Sequence, residues 1–435
     1  MPMRLRMIIT LVCLLWTVIR PEMGRTRVYI DIESPELQPL PIAVAPLRDM
    51  GSPRPQLARA VLDILSNDLT ISGFFEIIPR NEFPREIDAL ADPPNFGIWA
   101  GSRAEALAIG SYSSSGDRLA IELRLYDLVE KKFLVGKRYE GDIKNLRDIV
   151  HRVSNEITYQ ITGEKGVFDT KIAFVSNMSG NKEIYAIDFD GHDLRQLTSN
   201  RSINLSPAWS PDGRLVAFTS YIKRNPDLYL FDFKRSIQIR LSTRPGLNAA
   251  PSWSPDGNKM ALMMRQEGNA EIFIINRDGT EPKRLTKSWS SEASPTWSPD
   301  GRKIGFVSDR SGSPQVYTMD VNGKNVKRLS YSGSYNASPF WSPKGDKIAY
   351  CGRSNGRFQI FTINPDGNGV RRLTENAGSN ESPTWSPDGR FIAFSSTGGG
   401  RSQIYVMNAN GANQRRLTST KGEESSPTWS PRMDR

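Results

Sequence analysis

From residue 171 onward, apolar and polar positions recur on one fixed step. Short runs of β-branched and aromatic residues alternate with turn residues, and the whole pattern repeats every 44 positions. Ile172, Val216, Met260, Ile304, Ile348 and Ile392 begin one apolar run of each repeat. Ile184, Leu228, Ile272, Val316, Ile360 and Ile404, each followed by Tyr or Phe, mark a second run. A leucine before Thr or Ser marks a third, at 197, 241, 285, 329, 373 and 417. Trp-Ser-Pro begins at Trp209, Trp253, Trp297, Trp341, Trp385 and Trp429, again on the same step and without insertion or deletion. Apolar runs this short, rich in β-branched and aromatic residues, predict strands and exclude a stack of helices.

Turn residues divide each repeat into four strands. Asp-Gly follows Trp-Ser-Pro at 212–213, 256–257, 300–301 and 388–389, with Lys344-Gly345 as a variant. Proline presets φ at the first turn position and glycine accepts positive φ at the next, so this sequence turns the chain at little cost. A second turn, Asp-Gly or Asn-Gly, recurs at 190, 278, 322, 366 and 410, and only the second repeat departs from it, with Lys234-Arg235. Such dipeptides are the strongest short hairpin signal. Four strands in about 44 residues match one blade of a β-propeller. The recurrent Trp is expected to pack between blades, because a residue present in every repeat serves packing rather than a ligand. The first repeat has no Trp-Ser-Pro strand before it, and an unmatched one, 425–431, stands at the far end. That strand is expected to complete the first blade and remove an exposed sheet edge.

Residues 25–163 lack the repeat. Strands are expected at 27–32, 41–46, 74–78, 106–112, 119–128 and 132–139. Helical spacing at 57–65 follows a proline, and 145–161 carries Leu146, Ile149, Val150, Val153, Ile157 and Ile161 on one face. The expected fold class is an α+β N-terminal domain followed by an all-β six-bladed β-propeller. The domains run 1–24 as a signal peptide, 25–163 as the small α/β domain and 164–435 as the ring.

The leader assignment rests on Arg4 and Arg6 ahead of an apolar run at 7–19, too short to span a bilayer of about 30 Å. Cleavage is placed near Gly24. Cys13 lies inside this leader with no lipobox before it, which leaves Cys351 as the mature chain's one cysteine, without an internal disulfide or a lipid anchor. Formal net charge is +10. The basic residues are scattered singly, without the clustered stripe that phosphate contacts need, so no nucleic acid is expected.

A search for catalytic chemistry finds little. Gly352-Arg353-Ser354-Asn355-Gly356 matches G-x-S-x-G but falls in a hairpin, where a nucleophile elbow needs a strand, a sharp turn and a helix. His151 and His192 are the chain's two histidines and stand far apart in sequence. Asp188-Phe189-Asp190-Gly191 lacks the later ligands of a calcium loop. The reading is of a binding protein without catalytic residues, cofactor or metal.

A small α/β domain followed by six Trp-Ser-Pro-Asp-Gly blades resembles the TolB family of periplasmic Tol–Pal components. Arg27-Val28-Tyr29-Ile30-Asp31 after the leader and Ile161-Thr162-Gly163 before the first blade strengthen the likeness. The resemblance implies a monomeric, non-enzymatic periplasmic adaptor acting in outer-membrane integrity and constriction at division. It implies binding of the peptidoglycan-associated lipoprotein Pal at one opening of the ring, of TolA through the N-terminus, and of colicins that capture the ring. Carried onto this chain, the TolA segment is residues 25–35, with Arg25, Arg27, Val28, Tyr29, Ile30 and Asp31; its basic start departs from the more acidic ends expected of the family. The Pal face is formed by the loops that lead into the Trp strands. Its candidates are Asn204, Asn248, Glu292, Asn336, Asn380 and Glu424, with Leu247, Ala250, Ala293, Tyr335 and Glu381 beside them. The alternative is an exported propeller that binds or processes a sugar or peptide.

Overall fold

A computed structural model describes residues 38–433 apart from 52, 86, 89, 90, 243, 266, 267, 376 and 377. The leader and the strand expected at 27–32 lie outside the described residues.

The N-terminal domain is a mixed sheet with two long helices on one face. Its strands are β1 (Leu40–Val44), β2 (Arg48–Asp49), β3 (Phe75–Ile77), β4 (Ala106–Ser115), β5 (Arg118–Asp127) and β6 (Lys132–Asp142), in the order β3-β1-β4-β5-β6 with β2 beside β4. Helix α1 (Pro55–Ser72) has proline in its first turn and ends on Gly73 at φ 70°, which stops the helix without a Cβ penalty. Helix α3 (Leu146–Thr162) ends the same way on Gly163. Their apolar faces meet the sheet through Val61, Leu65, Leu69, Ile149, Val153 and Ile157, all buried. The other face is covered by the segment holding the short helix α2 (Phe96–Trp99), whose Trp99 packs on Leu107, Ile109 and Tyr126. That segment has no apolar period long enough to be read from sequence.

The ring consists of six antiparallel four-stranded sheets, each consecutive in the chain except one. In blade one, the strand Glu424–Trp429 pairs with Lys171–Ser176, which pairs onward with Glu183–Asp188 and Arg195–Gln196. The end and the start of the ring thus share one sheet, which closes the circle of blades. The Trp residues lie between blades: Trp209 packs on Val175 and Ile184 of blade one and on Val216 and Phe231 of blade two. Several also tie the blades by hydrogen bonds. Nε1 of Trp253, Trp297 and Trp385 donates to the backbone carbonyl of Ala208, Ser252 and Phe340, one strand back around the ring, at 3.2, 3.1 and 3.1 Å.

The Ser-Pro-Asp-Gly turn has its own internal clamp. Ser210 Oγ donates to Asp212 at 2.5 Å and accepts the Leu215 N–H at 2.9 Å, and Ser254, Ser298 and Ser386 repeat the bond to Asp256, Asp300 and Asp388. In the Lys344-Gly345 variant, Ser342 reaches Asp346 instead, at 2.9 Å.

Candidate functional site

Because strands alternate in direction, each blade sends its first and third turns to one end of the ring. The second turn and the loop to the next blade go to the other end. The first strands line the channel. Each carries a β-bulge, and at the bulge Ser206, Ala250, Ser294, Ser338, Ser382 and Ser426 adopt φ between 48 and 54°. A proline follows each of them. With no N–H to donate, proline suits an innermost strand that has no partner on its channel side. This ring of Ser/Ala-Pro pairs bounds a channel cavity of about 260 Å³.

Around the loop end, the six candidates at the start of the Trp strands are all buried. Each belongs to a polar network that holds its own loop. Thr198, Ser330 and Thr374 donate to Glu183, Gln315 and Gln359 at 2.6, 2.7 and 2.7 Å. Asn204, Asn336 and Asn380 donate to the same three side chains at 2.9, 2.8 and 2.9 Å. Asn248 closes its loop by donating to Arg244 O at 2.8 Å. Glu292 accepts from Arg310 at 2.8 Å, and Glu424 accepts from Thr420 at 2.6 Å and from Thr418. Burial raises the pKa of both glutamates against these bonds. Side chains consumed in this way shape the loops that carry them. Leu247, Ala250 and Ala293 are half-buried, while Tyr335 and Glu381 are exposed.

Two aromatic side chains on the same loops have no counterpart in the sequence reading. Trp289 is 80% exposed and Tyr331 is 69% exposed. The Arg328 guanidinium lies 4.7 Å from the Tyr331 ring centre, and Tyr335 meets Phe358 edge-on. Their signal is the inverse of the repeat: a large aromatic at a position where no other blade has one.

The opposite end carries the N-terminal domain. Arg390, in the first turn of blade six, sits 3.4 Å from the centre of the Phe74 ring and donates to Ser72 O at 3.0 Å. At blade one, α3 brings His151 against Asp190, in the Asp-Gly turn. His151 Nδ1 lies 2.8 Å from Asp68 of α1, Nε2 lies 3.9 Å from Asp190, and Arg147 binds the same Asp190 oxygen. Burial lowers the His151 pKa, but the hydrogen bond and charge of Asp68, with Asp190 and Asp188, outweigh it and leave the pKa raised. Burial raises Asp68 more than His151 and Ser154 lower it. Asp190, also pushed up by burial, ends below its ordinary value through the charges of His151, Arg147 and His192.

Asp68, His151 and Asp190 can each bring a ligand atom within 4.8 Å of the others. The donors do not suit a metal ion, because Asp68 is spent on His151 Nδ1 and the Ser154 hydroxyl, and the Arg147 cation occupies the Asp190 oxygen nearest His151 Nε2. The cluster joins side chains from two helices and a turn of the ring, with Asp68 and His151 standing 83 apart in the chain, and no local pattern marks it.

The other sequence candidates resolve locally. Residues 352–356 close a two-residue hairpin on Asn355 and Gly356, both at positive φ, between the strands Ile348–Ser354 and Arg357–Ile363. That is not a strand-to-helix elbow. Cys351 is buried, which pushes its thiol up to about 11. The TolA-segment candidates Arg25, Arg27, Val28, Tyr29, Ile30 and Asp31 lie outside the described residues.

The two-part architecture matches known families along most of its length. The model of the TolB beta propeller domain matches residues 159–433, and that of the TolB amino-terminal domain matches residues 28–134. The chain belongs to the TolB family. A "Tol-Pal system protein TolB" of Geobacter sulfurreducens is 45% identical over 215 residues, 48% of this chain and 49% of that protein. A protein of the same name from Desulfosudis oleivorans is 40% identical over 192 residues, covering 43% and 44%. These alignments span about half the length of the curated relatives. The crystal structure of TolB from Acinetobacter baumannii superposes with a TM-score of 0.80 at 29% identity, over 93% of this chain and 99% of that one. Membership in the TolB family thus covers both the ring and the domain docked on it. No helix among the described residues is long and apolar enough to cross a membrane.

Proposed function

We propose that the chain is a non-enzymatic periplasmic adaptor of the Tol–Pal system, working in outer-membrane integrity and constriction during division. On this reading it binds Pal at the loop-rich mouth of the ring and TolA through residues 25–35. The observation that carries it is the mouth itself. Six loops, each held by a buried polar network, converge on one proline-lined opening and present half-buried apolar and exposed aromatic residues. The contact set is Leu247, Ala250, Ala293, Tyr335 and Glu381. Asn204, Asn248, Glu292, Asn336, Asn380 and Glu424 position the loops beneath it.

Calorimetric titration of the mature chain with the soluble domain of the same organism's Pal tests this reading. One-to-one binding that Ala293→Trp weakens at least about tenfold, with melting unchanged, is the expected result. No heat at about 50 μM overturns it and turns attention to sugar and peptide ligands. Removing residues 25–35 is expected to abolish binding to the soluble domain of TolA and to leave Pal binding intact.

A further inference from the structure

The loop-rich mouth also sorts its charges by depth. Its acidic side chains turn inward: Glu183, Asp227, Glu271, Glu292 and Glu424 are all buried, spent on loop hydroxyls, amides and arginines. Its basic side chains turn outward. Lys223, Arg224, Arg265 and Lys287, on the loops of blades two and three, are exposed, as are Arg353 and Arg357 on blade five. Among the described residues none of these six has a carboxylate within salt-bridge distance. Among the described residues, the acids that remain exposed on these loops and strand ends are Glu375, Glu381 and Glu423, with Asp309 half-buried and accepting from the Ser291 N–H at 2.9 Å. Basic residues that look scattered along the chain are brought by the 44-residue step to one rim. Between them stand Trp289 and Tyr331, the two most exposed large apolar side chains in the described protein.

We propose that this mouth recognises an acidic surface on a partner protein, with the cationic rim steering the approach and Trp289 and Tyr331 anchoring the contact. Charges left unpaired on a concave rim attract an anionic partner over several ångströms and speed its encounter. They give less final affinity than aromatic anchors, which bury area at low entropic cost. A protein fits better than a nucleic acid: the bases circle an opening lined by proline and serine, and form no stripe matching a phosphate backbone. The proposal rests on the mouth reading above for the partner's identity, but its chemistry can be tested separately.

Binding would be measured with two probes, the soluble domain of Pal and a fluorescein-labelled glutamate decamer, at about 30 and 300 mM salt. For the wild type, both affinities are expected to fall at least about tenfold across that range. The exposed triple variant Lys223→Glu, Arg224→Glu, Lys287→Glu should weaken Pal at least about tenfold at low salt and much less at high salt, and should lose the decamer. Trp289→Ala should weaken Pal about tenfold equally at both salts. Pal bound with no salt dependence, and unaffected by the triple variant, overturns the inference and leaves the mouth reading standing. If Pal fails to bind, the decamer decides: its retention by the wild type and loss in the variant support an acidic partner, and its failure overturns the proposal. Tighter binding of a duplex DNA of about 20 base pairs than of either probe also overturns it.

Discussion

The two ends of the ring are made from the same repeat and differ in what they leave exposed. At one end the turns are nearly identical, four of them closed by a serine-to-aspartate bond of 2.5 Å. The N-terminal domain rests on that end at blades one and six. At the other end the loops share a buried network but differ in everything they expose: an 80% exposed Trp289 on one, Tyr331 and Tyr335 on the next. A repeat can vary on its surface only where its frame does not depend on the varied atoms. The turn end spends its side chains on closing hairpins and docking a domain. The loop end hides its structural groups one layer down and leaves the outer layer free to vary.

The comparison can be broken most severely at the seam. Deleting residues 424–433 removes the strand that begins blade one and with it Trp429, whose Nε1 donates to Thr170 Oγ1 at 2.8 Å. Loss of that Trp alone is expected to cost about 3–5 kcal/mol, and the open edge adds aggregation. Scanning calorimetry should find either no cooperative transition or one far below that of the full chain. Unchanged melting would show that the ring does not depend on its closure.

At the loop end, Asn380→Ala removes one of the donors to Gln359, beside Thr374, and weakens the buried network that holds the loop. The expected destabilisation is about 1–3 kcal/mol, with weaker Pal binding as a consequence of a loosened loop. Glu381→Ala, one position on and exposed, should leave the melting point within about 1 °C while still altering binding. Equal stability effects from the two would mean that the buried and exposed layers are not separate.

The docked end has its own handle in pH. Folding raises the His151 pKa, so its contribution is fully present below about 6.5, the value of an unfolded histidine. It is lost as pH rises through the folded value. Asp190, lowered in the fold, contributes above the ordinary carboxylate range and loses its contribution as pH falls through its folded value. Amide protection in α3 and in the turn at 188–192, corrected for the intrinsic base-catalysed rate, should therefore fall on the alkaline side, above about pH 6.5, and His151→Gln should flatten that response. A profile identical in the variant would remove His151 from the docking contact. The loop mouth, which has no histidine, serves as the internal control.

The smallest effect concerns the channel. Ser338 and Ser382 hold φ of 51 and 54°, in a region that costs non-glycine residues about 1–2 kcal/mol. Ser382→Gly relieves that cost but adds freedom to the unfolded chain, so a net gain of about 0.5 kcal/mol is expected, read as a small rise in melting temperature. A loss of stability instead would show that the serine hydroxyl matters more than the backbone.

Much of this molecule was legible because its information is local and repeated. Tryptophans at one spacing, glycines after Asp or Asn, and apolar pairs on alternating positions each specify a strand or a turn within a few residues, and the identical step makes all six blades alike. The helix of α3 was equally plain from its one-sided apolar face. The segment covering the second face of the N-terminal sheet was not, since α2 has four residues and no period. The Pal-face candidates all fall at one end of the ring, but at different depths. Asn204 and Tyr335 both sit on loops in the sequence, and only packing shows that one is buried under its loop and the other exposed. His151 beside Asp68 and Asp190 was beyond reach for a different reason, since those partners come from another helix and another domain. Local propensity and period determine elements and their count. Depth, charge sorting and contacts between domains arise only when distant segments exclude water from one another, and the tertiary structure alone decides them.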